Sequence, residues 1–483
     1  MLAAPSSLLL PVGLGVVFAA LMVLTSPVLA GVAMVALAAL LFVVTRPLRG
    51  LLMFCLLAPA MPWMTVTLGV RITTSEALLA LTWVGVAWSW LTGRLPGITL
   101  GPTERKAAYF LAWTVVPLVM GAVLVPWEGI PPVNWVRYLL NVSPLALLPL
   151  LAPTAKEREQ VLLCLLIGFA ALSCISLGFF FAGRDARLMV PFLTTMQYAN
   201  TAAIADIFGA DPGRMASPWV HPNSTGGALL LAAPLGLFYG VAHQGWRRAL
   251  GWFVALTALA GIVFCGSRGA LLAIGVLVGW LALKRAPYAG RGMVLGVILA
   301  IIFVMAYEPA QKRFMSLFSS NDISTGVRLE EYKRFPENAW RYPFGLGFGA
   351  DTPASSPEKD VYGISNLWLN YWFKLGLPGM VLFILITVAW WREVRLRGSF
   401  QHIGPHNAMH IATVGTVLAA LFTGFIDHYF SFTQVLIALF WLVMALSLHY
   451  TRQSAGQGPD PGPNAMPEAG SGRSLSLPTP RSP

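Results

Sequence analysis

Charged residues are scarce in this chain of 483 residues, because they make up 11% of it against roughly 25% in soluble domains. Hydrophobic residues account for 57%, and the mean hydropathy is +0.69. The scarcity of charge excludes an ordinary soluble protein. The apolar excess is typical of a polytopic membrane protein, in which each crossing takes about 20 apolar residues.

Metal-binding, disulfide and nucleotide-binding patterns are missing as well. The four cysteines all lie in apolar stretches without CxxC spacing, so we interpret them as packing residues and expect neither a metal site nor a disulfide. No P-loop, HExxH or GxSxG motif occurs, and no cofactor is expected. The net charge of +12 comes without a basic amphipathic run, so nucleic acid is not an expected partner.

Apolar stretches long enough to cross a bilayer recur along most of the chain. The fourteen stretches are 7–25, 27–45, 50–69, 76–93, 107–126, 131–152, 160–182, 224–242, 249–266, 269–284, 292–307, 366–390, 408–425 and 430–449. If the N-terminus is cytoplasmic, the loops after the even-numbered stretches hold fifteen lysines and arginines and only four glutamates. The positive-inside rule therefore favours a cytoplasmic N-terminus and C-terminus. The predicted fold class is all-α, a polytopic transmembrane protein of about 12–14 spans.

Three polar regions interrupt or follow these spans. We predict one membrane domain over residues 1–452 and a disordered cytoplasmic tail over 453–483, which is rich in Pro, Gly and Ser. Residues 183–222 and 308–364 form two long extracytoplasmic loops, and loops of this length are often functional. In the second loop, GLGFGAD (345–351) is predicted to form turns that fold the loop back onto the membrane.

Arginines recur at the external ends of the predicted helices. Arg214 precedes helix 8, Arg268 begins helix 10, Arg328 lies in the second long loop, and Arg137 lies inside helix 6. An arginine part-way into a membrane is a functional-site hypothesis by default, because it is costly to insert. Other interpretations stay open: Arg268 at the lipid headgroups, Arg214 and Arg328 as solvated loop charges, and Arg137 in a structural pair with Glu128 or Asp427.

Helices 8, 10 and 12 all begin at this external face with residues that cap helices. The capping residues are Asn223, Ser267, Ser365 and Asn366. A helix N-terminus beside arginines favours an anion, and a diphosphate needs several such donors. We therefore predict that Arg214, Arg268 and Arg328 act in catalysis on a diphosphate, with Arg137 and the capping residues in substrate binding.

A base for proton abstraction is less well defined by the sequence. The candidates are His221, two residues before Asn223, and His428, which follows Asp427 in the last external turn. Glu330 and Glu331, close to Arg328, are alternative bases. Each is equally compatible with a loop residue that has no catalytic role.

Four blocks in this order resemble the O-antigen ligase/polymerase family of bacterial membrane glycosyltransferases. The blocks are HPNSTGGALL, CGSRGALLA, GVRLEEY with RYPFGLGFGAD, and SNLWLNYWFKLGLPGMVLF, within residues 210–390. The resemblance implies a GT-C-like helical fold, a bacterial inner-membrane location, an undecaprenyl diphosphate-linked glycan donor, and metal-independent inverting transfer. It also implies that Arg214 and Arg268 engage the diphosphate.

One position departs from that family. Its ligases carry a histidine before helix 12, where this chain has Ser365 followed by Asn366. The departure favours a polymerase of O-antigen, capsule or exopolysaccharide repeat units, with a saccharide or lipid-linked acceptor and a possible assembly complex. The alternatives are an O-antigen ligase, a transporter or flippase of lipid-linked sugar, and a non-catalytic scaffold.

Overall fold

The computed structural model is almost entirely helical. It describes residues 37–456, apart from 63, 69, 96, 98–99, 125–129, 184–189, 196–212, 307, 309–310, 312–314, 316–322, 350–363 and 396–399. The elements of the first half are α1 (Leu37–Val44), α2 (Leu48–Ala60), β1 (Thr65–Leu68), β2 (Val70–Thr73), α3 (Thr74–Leu91), α4 (Pro102–Trp113), α5 (Val115–Leu124), α6 (Pro131–Val142), α7 (Pro144–Leu151), α8 (Ala155–Gly183) and α9 (Val190–Thr195). The elements of the second half are α10 (Pro222–Ala242), α11 (Gly245–Cys265), α12 (Arg268–Leu283), α13 (Ala289–Ala306), α14 (Ile323–Arg341), α15 (Leu367–Val394), α16 (Pro405–Thr423), α17 (Tyr429–Phe432) and α18 (Gln434–Gly456).

Six helices of the described residues are long and apolar enough to cross a membrane. They are α8, α10, α11, α13, α15 and α18, and the bent pair of α1 and α2 makes up to a seventh candidate. Shorter apolar helices coincide with α12 and most of α16. The chain is therefore an all-α, multi-pass membrane protein, as the sequence predicted. The predicted span 7–25 and the predicted tail beyond residue 456 lie outside the described residues.

The predicted span 50–69 is wrong in its second half. The helix α2 ends at Ala60, and β1 then pairs antiparallel with β2, with Thr65 opposite Thr73 and Leu68 opposite Val70. Threonine, valine and isoleucine dominate these eight positions, and β-branched side chains favour extended backbone over helix. Apolarity alone did not separate the two structures.

Two further predicted spans are each divided into two helices. The stretch 107–126 is split at Thr114 between α4 and α5, and 131–152 is split at Ser143 between α6 and α7. A proline follows each break, Pro117 and Pro144, and proline clashes with the preceding helical turn and lacks the N–H that the turn needs.

The centre of the molecule is formed by α10 and α18, which are buried along most of their length. The helix α10 packs against α11 and α16, while α18 packs against α7 and α16. The helix α13 exposes most of its apolar residues, which is expected of a helix that faces lipid.

The second long loop contains the helix α14, which the sequence analysis did not predict. It also contains the glycine-rich turn, which the sequence analysis did predict. Gly345 and Gly347 have positive φ angles of 84° and 73°, and the N–H groups of Leu346 and Gly347 donate to the carbonyls of Phe373 and Lys374 on α15. The turn thus folds the loop back onto a membrane helix, as predicted. It meets α15 at its kink, Gly376, whose φ is 71°.

Candidate functional site

The N-terminal ends of α10, α12 and α15 lie together at one end of the bundle. A methyl group placed on Gly226 of α10 would lie 2.8 Å from Cβ of Ser267, the N-cap of α12. At the same end, the N–H of Leu367 on α15 donates to the carbonyl of Gly424, just after α16. Helix N-termini present unpaired N–H groups and the positive end of the helix dipole, so this end of the bundle favours an anion.

The segment that carries Arg214 and His221 is fixed to the membrane helices. Trp219 is fully buried, and its Nε1 donates to the carbonyl of Pro59 on α2 at 3.1 Å. The hydroxyl of Ser176 on α8 donates to the carbonyl of Ser217 at 2.6 Å, and the hydroxyl of Thr225 donates to that of Ala216 at 2.7 Å. These contacts with α2, α8 and α10 fix the segment, and they thereby fix the positions of Arg214 and His221.

The backbone is strained immediately before α10. Val220 has a φ of 64°, a conformation that β-branched residues rarely adopt, and the N–H of His221 donates to the carbonyl of Trp219 at 2.6 Å. Such strain persists only where the surrounding structure dictates it, and it is common at functional sites. Its effect is to place His221 as the N-cap of α10, where Nδ1 accepts the N–H of Asn223 at 3.2 Å.

Arg214 connects the start of α10 with the junction of α11 and α12. Its Nε donates to the carbonyl of Cys265 at 2.8 Å, and its Nη2 donates to Oδ1 of Asn223 at 3.0 Å. Gly266, with a φ of 58°, ends α11, and Ser267 and Arg268 then begin α12. Four predicted site residues, Arg214, Asn223, Ser267 and Arg268, therefore belong to one junction of three helix ends.

Asp427 is the centre of the hydrogen-bond network, and it lies in the turn between α16 and α17. Its Oδ2 accepts Nδ2 of Asn223 at 2.9 Å and lies 3.5 Å from Nη2 of Arg328 on α14. Its Oδ1 accepts the N–H of His428 at 2.8 Å and lies 3.5 Å from Nδ1 of the same residue. One carboxylate thus links α10, α14 and the start of α17.

The start of α15 contacts the other side of α14. The N–H of Ser365 donates to Oε2 of Glu331 at 2.8 Å. Asn366 caps α15 by accepting the N–H groups of Trp368 and Leu369, and its Nδ2 donates to the hydroxyl of Tyr332 at 3.2 Å. The predicted residues Ser365 and Asn366 therefore both contact α14, Ser365 through Glu331 and Asn366 through Tyr332.

Three titratable groups of this network have shifted pKa values. Loss of solvation lowers the pKa of His221 to about 4, with Arg214 and Arg328 acting in the same direction and Asp427 opposing them. Loss of solvation also lowers the pKa of His428, despite the adjacent Asp427. Both imidazoles are thus neutral at pH 7. Burial raises the pKa of Glu331, partly offset by the Ser365 hydrogen bond and by Arg328.

Arg137 lies in a separate polar cluster. Its Nε donates to both carboxylate oxygens of Glu76 on α3, at 3.0 and 3.1 Å, and Nδ2 of Asn141 also donates to Glu76 at 3.0 Å. The Glu76 side chain is fully buried. Glu128, one of the two partners predicted for Arg137, lies outside the described residues. A substrate-binding role for Arg137 stays a prediction.

Sequence reasoning noted His428 after Asp427 as a candidate base but selected neither residue for the predicted site. The only signal was the pair Asp-His in a short turn between two predicted helices, without a spacing that marks a motif. Asp427 is about 200 residues from Asn223 and about 100 from Arg328 along the chain, so only the fold brings them together. Among the described residues, no three His, Cys, Asp or Glu side chains are grouped so that they could hold a metal ion.

Comparison with known proteins identifies one family. The family model described as O-antigen ligase matches residues 253–384, from within α11 to within α15. The match confirms the resemblance seen in the sequence and includes Ser267, Arg268 and Arg328, while Arg214 and Asp427 lie outside it. A comparison with curated proteins found no match.

Proposed function

We propose that this chain, with an O-antigen ligase match over residues 253–384, is a membrane glycosyltransferase that polymerises lipid-linked oligosaccharide repeat units. Its donor is a glycan on undecaprenyl diphosphate, and its acceptor is a saccharide or a lipid-linked glycan. The product belongs to O-antigen, capsule or exopolysaccharide synthesis.

The observation that carries this proposal is the joining of three helix N-termini with a network of arginines. Arg214 and Arg328 meet through Asn223 and Asp427, and Arg268 begins the adjoining α12. A diphosphate diester carries two negative charges and several acceptor oxygens, which match guanidinium groups and helix N–H groups. Hydrogen bonds to charged groups contribute about 1.5–3 kcal/mol each, so a few of them suffice to bind the donor.

These same donors favour the reaction itself. As the bond between the anomeric carbon and the diphosphate oxygen breaks, negative charge grows on the leaving group, and fixed cations stabilise that charge. The acceptor hydroxyl attacks the anomeric carbon from the opposite side, so the configuration inverts, and undecaprenyl diphosphate leaves. No metal is assigned a role in this step.

Ser365 favours a polymerase over a ligase. The ligases that the sequence resembles carry a histidine at this position, whereas here the backbone N–H of Ser365 is bonded to Glu331. Orientation follows the charge pattern of the loops, with the site on the extracytoplasmic face of the bacterial inner membrane and both termini in the cytoplasm.

The test is transfer by the purified full-length protein in nanodiscs, with undecaprenyl diphosphate-linked repeat units and without metal or ATP. We expect a ladder of glycan lengths that Arg268→Ala reduces more than about a hundredfold, as expected when a preorganised charge-stabilising donor is removed, while membrane insertion is unchanged. Arg268→Lys should restore little, because a lysine cannot bind an oxyanion in the bidentate way. Transfer only to a supplied lipid core acceptor would identify a ligase, and no product with any acceptor would favour a transporter.

A further inference from the structure

We propose that His428 is the general base of this reaction and that Asp427 orients its imidazole. The inference rests on the proposed function, since it assigns a residue to the transfer step. His428 lies outside the segment that matches the O-antigen ligase family.

The imidazole of His428 lies beside the carboxylate of Asp427. Nδ1 of His428 lies 3.5 Å from Oδ1 of Asp427, and Oδ2 is held on its other side by Asn223. Nδ1 forms no hydrogen bond among the described residues. A small rotation of the ring would direct a proton on Nδ1 at the carboxylate, and the lone pair of Nε2 would then accept a proton. A contact of this length is typical of a site without substrate, where catalytic hydrogen bonds are often long.

The backbone of His428 is held rigidly. Its carbonyl accepts both the N–H and the hydroxyl of Ser431 at 2.9 Å, and that hydroxyl accepts Nδ2 of Asn370 on α15 at 2.7 Å. The imidazole packs against the ring of Phe432, with centroids 5.0 Å apart. The histidine is thus positioned by two neighbouring helices before any substrate binds, as an efficient base requires.

Burial keeps His428 neutral and therefore able to accept a proton. Loss of solvation lowers the pKa of His428, Lys374 and Arg328 act in the same direction, and Asp427 opposes them. His221 also lies near His428, and it is neutral as well because its pKa is lowered to about 4. Asp427 then stabilises the imidazolium once it forms.

The other candidate bases take part in structural hydrogen bonds at the starts of α10 and α15. Nδ1 of His221 accepts the N–H of Asn223, so the proton of its neutral ring is on Nε2 and neither nitrogen is free to accept another. Glu331 accepts the N–H of Ser365 at the start of α15. The hydroxyl of Ser365 cannot act as a base at neutral pH.

The step balances as follows. The acceptor hydroxyl oxygen forms a bond to the anomeric carbon, and the bond between that carbon and the diphosphate oxygen breaks with its electron pair on the leaving group. The hydroxyl proton moves to Nε2 of His428 and is later released to water. The carrier leaves as undecaprenyl diphosphate.

The experiment compares the wild type with His428→Gln in nanodiscs, using an undecaprenyl diphosphate-linked repeat unit. We expect kcat to fall by about 10²–10⁴, the range for loss of a general base, while binding of the donor is unchanged. The wild-type rate should decline at acidic pH as His428 becomes protonated, and the residual rate of the variant should lack that decline. A residue with only a structural role would not remove the pH dependence.

The matched control is His402→Gln, the same change at an exposed histidine that precedes α16. It should leave both rate and pH profile as in the wild type. Retention of most of the wild-type kcat by His428→Gln, or of its acidic decline, would overturn the assignment. So would loss of donor binding in both His428→Gln and His428→Asn, because His428 would then serve binding or folding. An inactive wild type would instead refute the proposed function, and the base assignment with it.

Discussion

Asp427→Asn is the change that tests most directly whether one carboxylate organises the site. Asparagine has the same shape, but one of its two terminal atoms is an NH₂ donor. Asp427 faces N–H donors on both oxygens, Asn223 at 2.9 Å and the backbone of His428 at 2.8 Å. Whichever way the amide is turned, one of these contacts becomes donor against donor.

The size of the effect follows from those contacts. Losing one hydrogen bond to a charged group costs about 1.5–3 kcal/mol. The pair with Arg328 is long, at 3.5 Å, and the arginine is 25% exposed, so solvent screening limits its contribution to less than about 1 kcal/mol. We therefore expect Asp427→Asn to destabilise the protein by about 2–4 kcal/mol.

The assay is thermal unfolding of the full-length protein in detergent. Glu330→Gln is the matched control, because it makes the same carboxylate-to-amide change in an ion pair with Arg334 whose side chains are 46% and 42% exposed. A surface pair of this kind contributes about 0.3–0.5 kcal/mol. In an Asn223→Ala background the donor clash is absent, so Asp427→Asn should destabilise less there, by a coupling energy of about 0.5–3 kcal/mol. Equal unfolding temperatures for Asp427→Asn and Glu330→Gln would refute the reasoning.

Two further changes test how the site is supported. Trp219→Ala removes a fully buried side chain and its hydrogen bond to the carbonyl of Pro59, and should destabilise the folded protein by about 3–5 kcal/mol in thermal unfolding. The control is Trp340→Ala, at a residue 83% exposed, which should have little effect on thermal unfolding. Gly376→Ala places a methyl group against the loop backbone at φ 71° and ψ 172°, a conformation that is nearly restricted to glycine and costs other residues about 1–3 kcal/mol, so it should lower the unfolding temperature. Gly290→Ala, where the added methyl group contacts no atom within 4 Å, is its control. Equal unfolding temperatures for the two variants would contradict the role of the kink.

Most of the helices could be predicted from hydrophobic stretches. Where the stretch was uniform, as in α8 or α10, the predicted and observed helices differ by a few residues at each end. The prediction failed where apolar side chains are also β-branched, as in the hairpin Thr65–Thr73, and where a proline divides one stretch into two helices. Hydropathy measures burial in lipid and carries no information on backbone geometry, so these features are invisible to it.

The residues of the site were predictable where they mark helix ends or carry a charge. Asn223, Ser267 and Asn366 were found because a capping residue has a local signature, and Arg214 and Arg328 because charge is rare in this chain. The partners of those residues could not be predicted, since no local pattern relates Asp427 to Asn223 or Glu76 to Arg137. These pairs depend on helices that lie far apart in sequence and pack together in the fold.

The contact between Asp427 and Arg328 bears on how the proposed donor would bind. Arg214 uses its Nε and Nη2 on groups of the protein, whereas the contact of Arg328 with Asp427, at 3.5 Å, is longer than the 2.7–2.9 Å of a strong charge-assisted hydrogen bond. In the proposed reaction, a diphosphate oxygen would therefore replace Asp427 as the partner of Arg328 at little cost in free energy. Asp427 then keeps its hydrogen bonds to Asn223 and the His428 backbone, beside the imidazole that receives the proton. Donor binding and proton transfer thus depend on the same carboxylate, which is why we expect its loss to impair both.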